Sequence, residues 1–317
     1  MPSAAPPPAV EMRTISKRFG GVHALKDVDF AVASGEIHAL LGENGAGKST
    51  ILKILQGVLA PDSGTITVQG QEVAGLTPRS ASALGIGMIF QEMSLVPTLT
   101  VAQNIFLTRE PLNGAGLIGD REMERLAGSL FESMGVVIDP RAEVGDLSAG
   151  QQQLTEIAKA LSQDVQVLIL DEPTSALSAA DVEILFELLR KLRQDGRAII
   201  YVSHRMDEIF RIADRATVLR DGRKICTRLI EGYRLEDLIQ DIMGKASRDL
   251  SELMSETAAT GKVVLRVRGL KVRGRPGSVD FDLHQGEVLG LAGLLGAGRS
   301  RVARTLFGLQ PDAEGTI

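Results

Sequence analysis

Residues 42–49, Gly-Glu-Asn-Gly-Ala-Gly-Lys-Ser, carry the spacing G-x-x-x-x-G-K-[ST]. Its chemistry is phosphate binding. The glycines let backbone N–H groups turn toward phosphate oxygens, Lys48 can reach the β and γ oxygens, and the Ser49 hydroxyl can hold Mg²⁺. Downstream, the apolar run Val167-Leu168-Ile169-Leu170 ends in Asp171 and Glu172. Ligands of an open parallel sheet collect at the carboxyl ends of its strands, so Asp171 is placed for a Mg²⁺ shell and Glu172 to polarise a water aimed at the γ-phosphate. The plainer reading is that one carboxylate caps the next helix. Leu147-Ser148-Ala149-Gly150-Gln151 opens another helix. Its free N–H groups and dipole favour an anion, and Ser148 would equally serve as an ordinary N-cap.

These groups need a scaffold of strands and helices. Residues 36–41 read as a buried strand feeding the phosphate loop, and residues 48–57 as the helix after it. Further apolar runs at 86–90, 167–170 and 198–203 point to a core sheet with parallel strands. Residues 10–30 read as short strands and turns around Gly20-Gly21. From 100 to 145 the pattern turns helical, with Met123, Leu126, Leu130, Phe131 and Met134 spaced for one buried face. Helices are expected at 150–162, 179–194 and 206–213, and a hairpin at 216–220 and 224–227 around Asp221-Gly222.

Residues 28–66 align without a gap on residues 279–317, with sixteen identical pairs that include Asp29/Asp280, Glu36/Glu287, Gly47/Gly298 and Ser49/Ser300. Glycines in register with a flanking Gly-Glu and a trailing Gly-Thr-Ile indicate duplication of a domain. The expected organisation is a disordered tail at 1–9 and a first domain at 10–244 with a helical insert at about 98–146. A linker at 245–262 follows, then the truncated start of a second domain at 263–317. There Arg299 replaces the loop lysine, and a planar guanidinium does not copy a compact ammonium.

Basic and acidic residues number 35 and 40, and no basic run suggests a nucleic-acid footprint. The lone Cys226 suits a reducing compartment such as the cytosol. No run approaches the ~20 apolar residues of a membrane span, and the Pro-rich start has neither the charge nor the apolar core of a signal peptide. Work at a membrane would require recruitment.

"GENGAGKST", "LSAGQQQ" and "LILDEPTSALS", in that order, resemble the nucleotide-binding domain of an ABC ATPase. The resemblance implies an α/β P-loop NTPase with a core parallel sheet, an antiparallel β part and an inserted helical subdomain. It implies ATP and Mg²⁺ contacts from Gly42, Glu43, Asn44, Gly45, Ala46, Gly47, Lys48, Ser49 and Thr50. Phe19 would stack on adenine, Gln91 and Asp171 would join Ser49 at Mg²⁺, and Glu172, His204 and Gln91 would serve catalysis. Ser175-Ala176-Leu177-Ser178 resembles the D-loop. In this family two nucleotide-binding domains pair head to tail, so Ser148 and Gly150 would act in trans on the opposite ATP. The segment 273–277 offers no aromatic to match Phe19, which makes the second site weakened or regulatory.

The tandem design, "GAGRS", "EIAKALS" and "YVSHRMDEI" resemble the ATP-binding subunit of bacterial monosaccharide importers of the ribose, galactose and xylose type. Such a subunit hydrolyses ATP peripherally at the cytoplasmic face of the inner membrane. It drives membrane permease subunits supplied by an extracytoplasmic sugar-binding protein. Nucleoside importers share the design. A soluble tandem ABC ATPase on ribosomes or nucleic acid would be expected to keep two lysines and a long charged linker. The transported molecule itself is not written in an ATPase.

Overall fold

The computed structural model describes residues 8–89, 94–112, 114, 116–175, 177–244, 261–271, 277–291, 298–309 and 314–317. The chain divides into two compact units, Met1–Gly244 and Lys245–Ile317. In the first unit β1 (Pro8–Phe19) and β2 (Val22–Ala33) form an antiparallel hairpin across Gly20-Gly21. β3 (Ile37–Leu41), the phosphate loop and α1 (Lys48–Leu55) come next. β4 (Ser63–Val68), β5 (Gln71–Glu72), α2 (Pro78–Ala83) and β6 (Ile86–Ile89) precede the helical insert. That insert holds α3 (Val101–Phe106) and α4 (Asp120–Met134), and α5 (Ala149–Leu161) returns the chain to β7 (Val167–Asp171). The unit closes with α6 (Ala179–Gln194), β8 (Ala198–Val202), α7 (Met206–Ile212), β9 (Arg215–Arg220), β10 (Arg223–Leu229) and α8 (Leu235–Met243).

Six strands make the central sheet in the order β10-β9-β3-β8-β7-β6, parallel except where β10 turns back on β9. All five residues of β3 are buried, as a strand covered on both faces requires. Its side chains alternate between two cores. Ile37, Ala39 and Leu41 join the helices on one face, while Leu40 joins the antiparallel sheet and α1 on the other. His38 lies on Leu40's side, edge-on to the Phe30 ring at 5.1 Å. Glu36 meets His38 Nδ1 at 2.8 Å, Thr217 meets Nε2 at 2.7 Å, and Arg215 Nε donates to Glu36 at 2.6 Å.

Three expectations need correction. The stretch read as short strands is one hairpin of two 12-residue strands. Bulges at Thr14 and Asp27, with φ of 49° and 46°, break the alternation that would have revealed its length. Pro8 and Ala9, expected in the tail, stand in β1. On α4 the buried stripe is Met123, Ala127, Phe131 and Met134, with Leu126 and Leu130 half-buried beside it.

In the second unit β11 (Val263–Lys271), β12 (Val279–His284) and β13 (Glu314–Thr316) form an antiparallel sheet in the order β12-β11-β13, with α9 (Arg299–Leu306) packed on it. This repeats β2-β1-β4 and α1 in detail. Asp29 accepts the Thr14 N–H at 2.8 Å, and Asp280 accepts the Gly269 N–H at 2.8 Å. Glu36 accepts the Ala33 N–H at 2.7 Å, and Glu287 accepts the His284 N–H at 2.7 Å.

Candidate nucleotide-binding site

The phosphate loop leaves the carboxyl end of β3 and is clasped on both sides. At Gly42, with φ +149°, a Cβ would lie 2.3 Å from the Leu219 carbonyl oxygen and 2.9 Å from the Ala46 methyl. At Gly47, with φ +106°, it would meet the Leu25 methyl at 2.7 Å and the Ala24 carbonyl at 2.8 Å. Only glycine fits either place. The Gly222 N–H donates to the Ala46 carbonyl at 3.2 Å, tying the loop to the β9–β10 turn. Among the described residues, the N–H groups of Gly45, Gly47, Lys48 and Ser49 carry no backbone partner, which suits them to an anion.

Lys48 Nζ donates to the Gly42 and Glu43 carbonyls at 2.7 and 3.0 Å, which draws the ammonium back across the loop. Burial holds its pKa below the ordinary lysine value, against the pull of Asp171 and Glu172. Asp171 ends β7, and its pKa is raised, first by burial and then by Glu172, with Lys48 opposing. A phosphate and a cation would relieve both deficits.

Glu172 sits just past the strand with φ +49°, a left-handed backbone that a non-glycine residue adopts only when its surroundings hold it there. Its N–H donates to the Val202 carbonyl at 2.9 Å, beside the end of β8. His204, two residues further on, puts Nδ1 3.1 Å from Glu172 Oε1. Lys48, Asp171, Glu172 and His204 thus gather at the carboxyl ends of β3, β7 and β8. The helix after Glu172 is capped instead by Ser178, whose hydroxyl accepts the Asp181 N–H at 3.3 Å.

The other expected residues are placed as follows. Glu43, Asn44, Gly45 and Ser49 are exposed along the loop, and the Thr50 N–H donates to the Gly47 carbonyl at 3.1 Å. Phe19 is 49% exposed at the tip of the first hairpin, with Lys17 Nζ 5.9 Å from its ring centre. Ser148 is the N-cap of α5 in a reciprocal pair with Gln151. Gln91, Ala176 and the second loop's Gly293, Gly296 and Ala297 lie outside the described residues. Arg299 and Ser300 open α9 behind Gly298, whose φ of 96° matches the Gly47 cap of α1.

Two groups at this end escaped the sequence reading. Asp181 lies beneath Gly150, where a Cβ would come within 2.3 Å of its carboxyl carbon. Glu156 on α5 accepts the Ser94 N–H, and Lys159 Nζ donates to the Ser94 hydroxyl at 3.0 Å. The only hint of this second contact was a Glu and a Lys spaced three apart on a helix.

Residues 25–175 match the family described as ABC transporter. The chain is 46% identical to a putative ribose/galactose/methyl galactoside import ATP-binding protein of Ralstonia nicotianae, covering all of this chain and 62% of that protein. It is also 46% identical to the ribose import ATP-binding protein RbsA of Geobacillus kaustophilus, covering 97% of this chain and 62% of the relative. The chain therefore spans about three fifths of the length of the curated relatives it matches. The ATP-binding cassette MJ0796, solved as a dimer in a post-hydrolysis state with ADP and Pi, superimposes with a TM-score of 0.60 at 26% identity. That match covers 71% of this chain and all of the other. Fold and site together define a P-loop domain of the ATP-binding cassette type. The match to the ABC transporter family lies in residues 25–175, and the similar chains are named as sugar-import ATP-binding proteins.

Proposed function

We propose that the first cassette hydrolyses ATP to energise import of a monosaccharide through separate membrane permease subunits. The carrying observation is the convergence of Lys48, Asp171, Glu172 and His204 on one end of the central sheet. Lys48 and the loop N–H groups hold the β- and γ-phosphates. Glu172 takes a proton from water as the water oxygen bonds to the γ-phosphorus and the bond to the bridging oxygen breaks, leaving ADP and phosphate. His204, oriented by Glu172, holds a γ-phosphate oxygen.

The Ser49 hydroxyl and the Asp171 carboxylate are hard oxygen donors of the kind Mg²⁺ takes together with phosphate and water, and the raised Asp171 pKa marks a charge in need of a cation. Bound there, Mg²⁺ would neutralise charge on the phosphate oxygens. Gln91 is proposed as a further ligand and Phe19 as the adenine platform.

The names of the relatives support import of ribose- or galactose-like sugars, and delivery by an extracytoplasmic binding protein is part of the same proposal. No helix among the described residues is long and apolar enough to cross a membrane, and peripheral association at the cytoplasmic face of the inner membrane is part of this proposal. Residues 263–317 are read as the start of a second, degenerate cassette after a linker at 245–262. In the head-to-tail arrangement Ser148 and Gly150 reach the partner cassette's ATP.

Lys48→Ala and Arg299→Ala test the assignment of roles in a steady-state ATPase assay. Loss of Lys48 should lower turnover on the order of 100-fold or more, as for loss of a charge-stabilising donor. Arg299→Ala should change it by less than about threefold. Equal losses would refute the asymmetry.

A further inference from the structure

Glu208 lies in the first turn of α7 and is 1% exposed, among the most buried carboxylates of the described residues. Its Oε2 accepts three hydroxyls: Thr174 Oγ1 at 2.8 Å, Tyr201 Oη at 2.8 Å and Ser203 Oγ at 3.2 Å. Arg205 Nη1 stands 2.8 Å from Oε1 as an ion pair, at an angle that makes no hydrogen bond. The Arg205 N–H donates to the Ser203 hydroxyl at 3.0 Å, so that hydroxyl both gives and receives. Thr174, Tyr201 and Ser203 are themselves buried. Burial, followed by the charge of Glu208, pushes the Tyr201 pKa up, so the phenol remains a donor.

The donors come from two separate stretches. Thr174 follows Glu172 by two residues, and Ser203 immediately precedes His204. A buried charge of this kind is poor material for stability alone, because an apolar side chain of similar volume would pack α7 at least as well. What it supplies is a fixed distance between two loops. Glu172 also keeps a left-handed backbone that must be held from behind.

We propose that Glu208 is a positioning residue that locks the Glu172 loop to the strand end bearing His204, and so keeps carboxylate and imidazole aligned on the γ-phosphate. This rests on the reading of Glu172 and His204 as the hydrolytic pair.

The test is steady-state ATPase with the protein carrying Glu208→Ala, Glu208→Gln, Thr174→Val and, in parallel, Glu172→Gln. Glu208→Ala should lower kcat on the order of 10- to 100-fold, the cost of misplacing reacting groups by about an ångström. KM for ATP should stay within about twofold. Glu208→Gln should recover most of kcat, since its amide oxygen still accepts the three hydroxyls. Thr174→Val, which keeps the side-chain shape and loses one donor, should show the same split in milder form and gives the answer if Glu208→Ala does not fold. A kcat within about twofold of wild type for Glu208→Ala and Thr174→Val would overturn the proposal. So would a KM that rises in step with the loss of kcat. If Glu172→Gln is inactive while those variants turn over normally, positioning by Glu208 fails alone. If Glu172→Gln turns over like wild type, the hydrolytic reading itself has failed.

Discussion

Replacing Gly150 by alanine would place a methyl group 2.3 to 2.6 Å from the three carboxyl atoms of Asp181. Asp181 is not free to swing aside. Its Oδ2 takes the Ser178 hydroxyl at 2.6 Å and the Ser178 N–H at 3.3 Å, and these bonds complete the cap of α6. The methyl must therefore displace the carboxylate and open the cap, at a cost of about 1–2 kcal/mol. For a unit of this size that corresponds to roughly 2–8 °C in Tm. Asp181→Ala loses the same cap but empties the space, so adding Gly150→Ala to it should cost less than about 0.5 kcal/mol. Thermal unfolding of wild type, both single variants and the double variant measures this coupling. An equal cost of Gly150→Ala in both backgrounds would refute the claim that the glycine makes room for Asp181. ATPase activity of the same four proteins separates a second role: a glycine needed for close approach to a partner's phosphate leaves the double variant inactive even where its Tm matches Asp181→Ala.

His38 is fully buried, and burial holds its pKa below the ordinary histidine value despite Glu36. The unfolded chain takes up this proton near pH ~6.5 while the folded chain does not, so stability should fall as pH drops below ~6.5, by at most about 1.4 kcal/mol per pH unit. Urea midpoints between pH 7 and 5 should show this slope flattened in His38→Gln, and an unchanged slope would count against it. Asn104 is fully buried, accepting the Val96 N–H at 2.7 Å and donating to the Val96, Leu99 and Thr100 carbonyls at 3.0, 3.2 and 3.0 Å. It thereby shapes residues 98–106 at the head of the helical insert, and we propose that this stretch docks on the permease. Asn104→Leu should cost about 1–3 kcal/mol of stability and uncouple sugar uptake in vesicles from a largely intact basal ATPase; unaltered uptake would remove this docking surface.

The phosphate loop was legible because its residues answer to backbone geometry: Gly42 and Gly47 stand where no Cβ fits, and that constraint leaves a spacing in the sequence. Asp171 and Glu172 were legible because a buried apolar run stops at them. The repeat was legible because the same short-range bonds at Asp29 and Asp280 demand the same residues. The hairpin's length was hidden by bulges at Thr14 and Asp27, which scramble a period of two. α2 went unread although Thr77 and Pro78 carry a cap and a first-turn proline. Asp181, Glu156 and Glu208 were out of reach for a different reason. Each acts across space on a residue in another element, and no local pattern encodes such a pairing.

The proposed hydrolysis depends on Glu172 as the group that activates water once ATP is held by Lys48 and the loop. Glu172→Gln, incubated with Mg²⁺ and ATP, separated from free nucleotide and analysed for what remains bound, tests this most directly. The amide fits the same place but cannot take the proton, so the protein should retain intact ATP while wild type yields ADP. Recovery of ADP from Glu172→Gln at the wild-type rate would contradict the account.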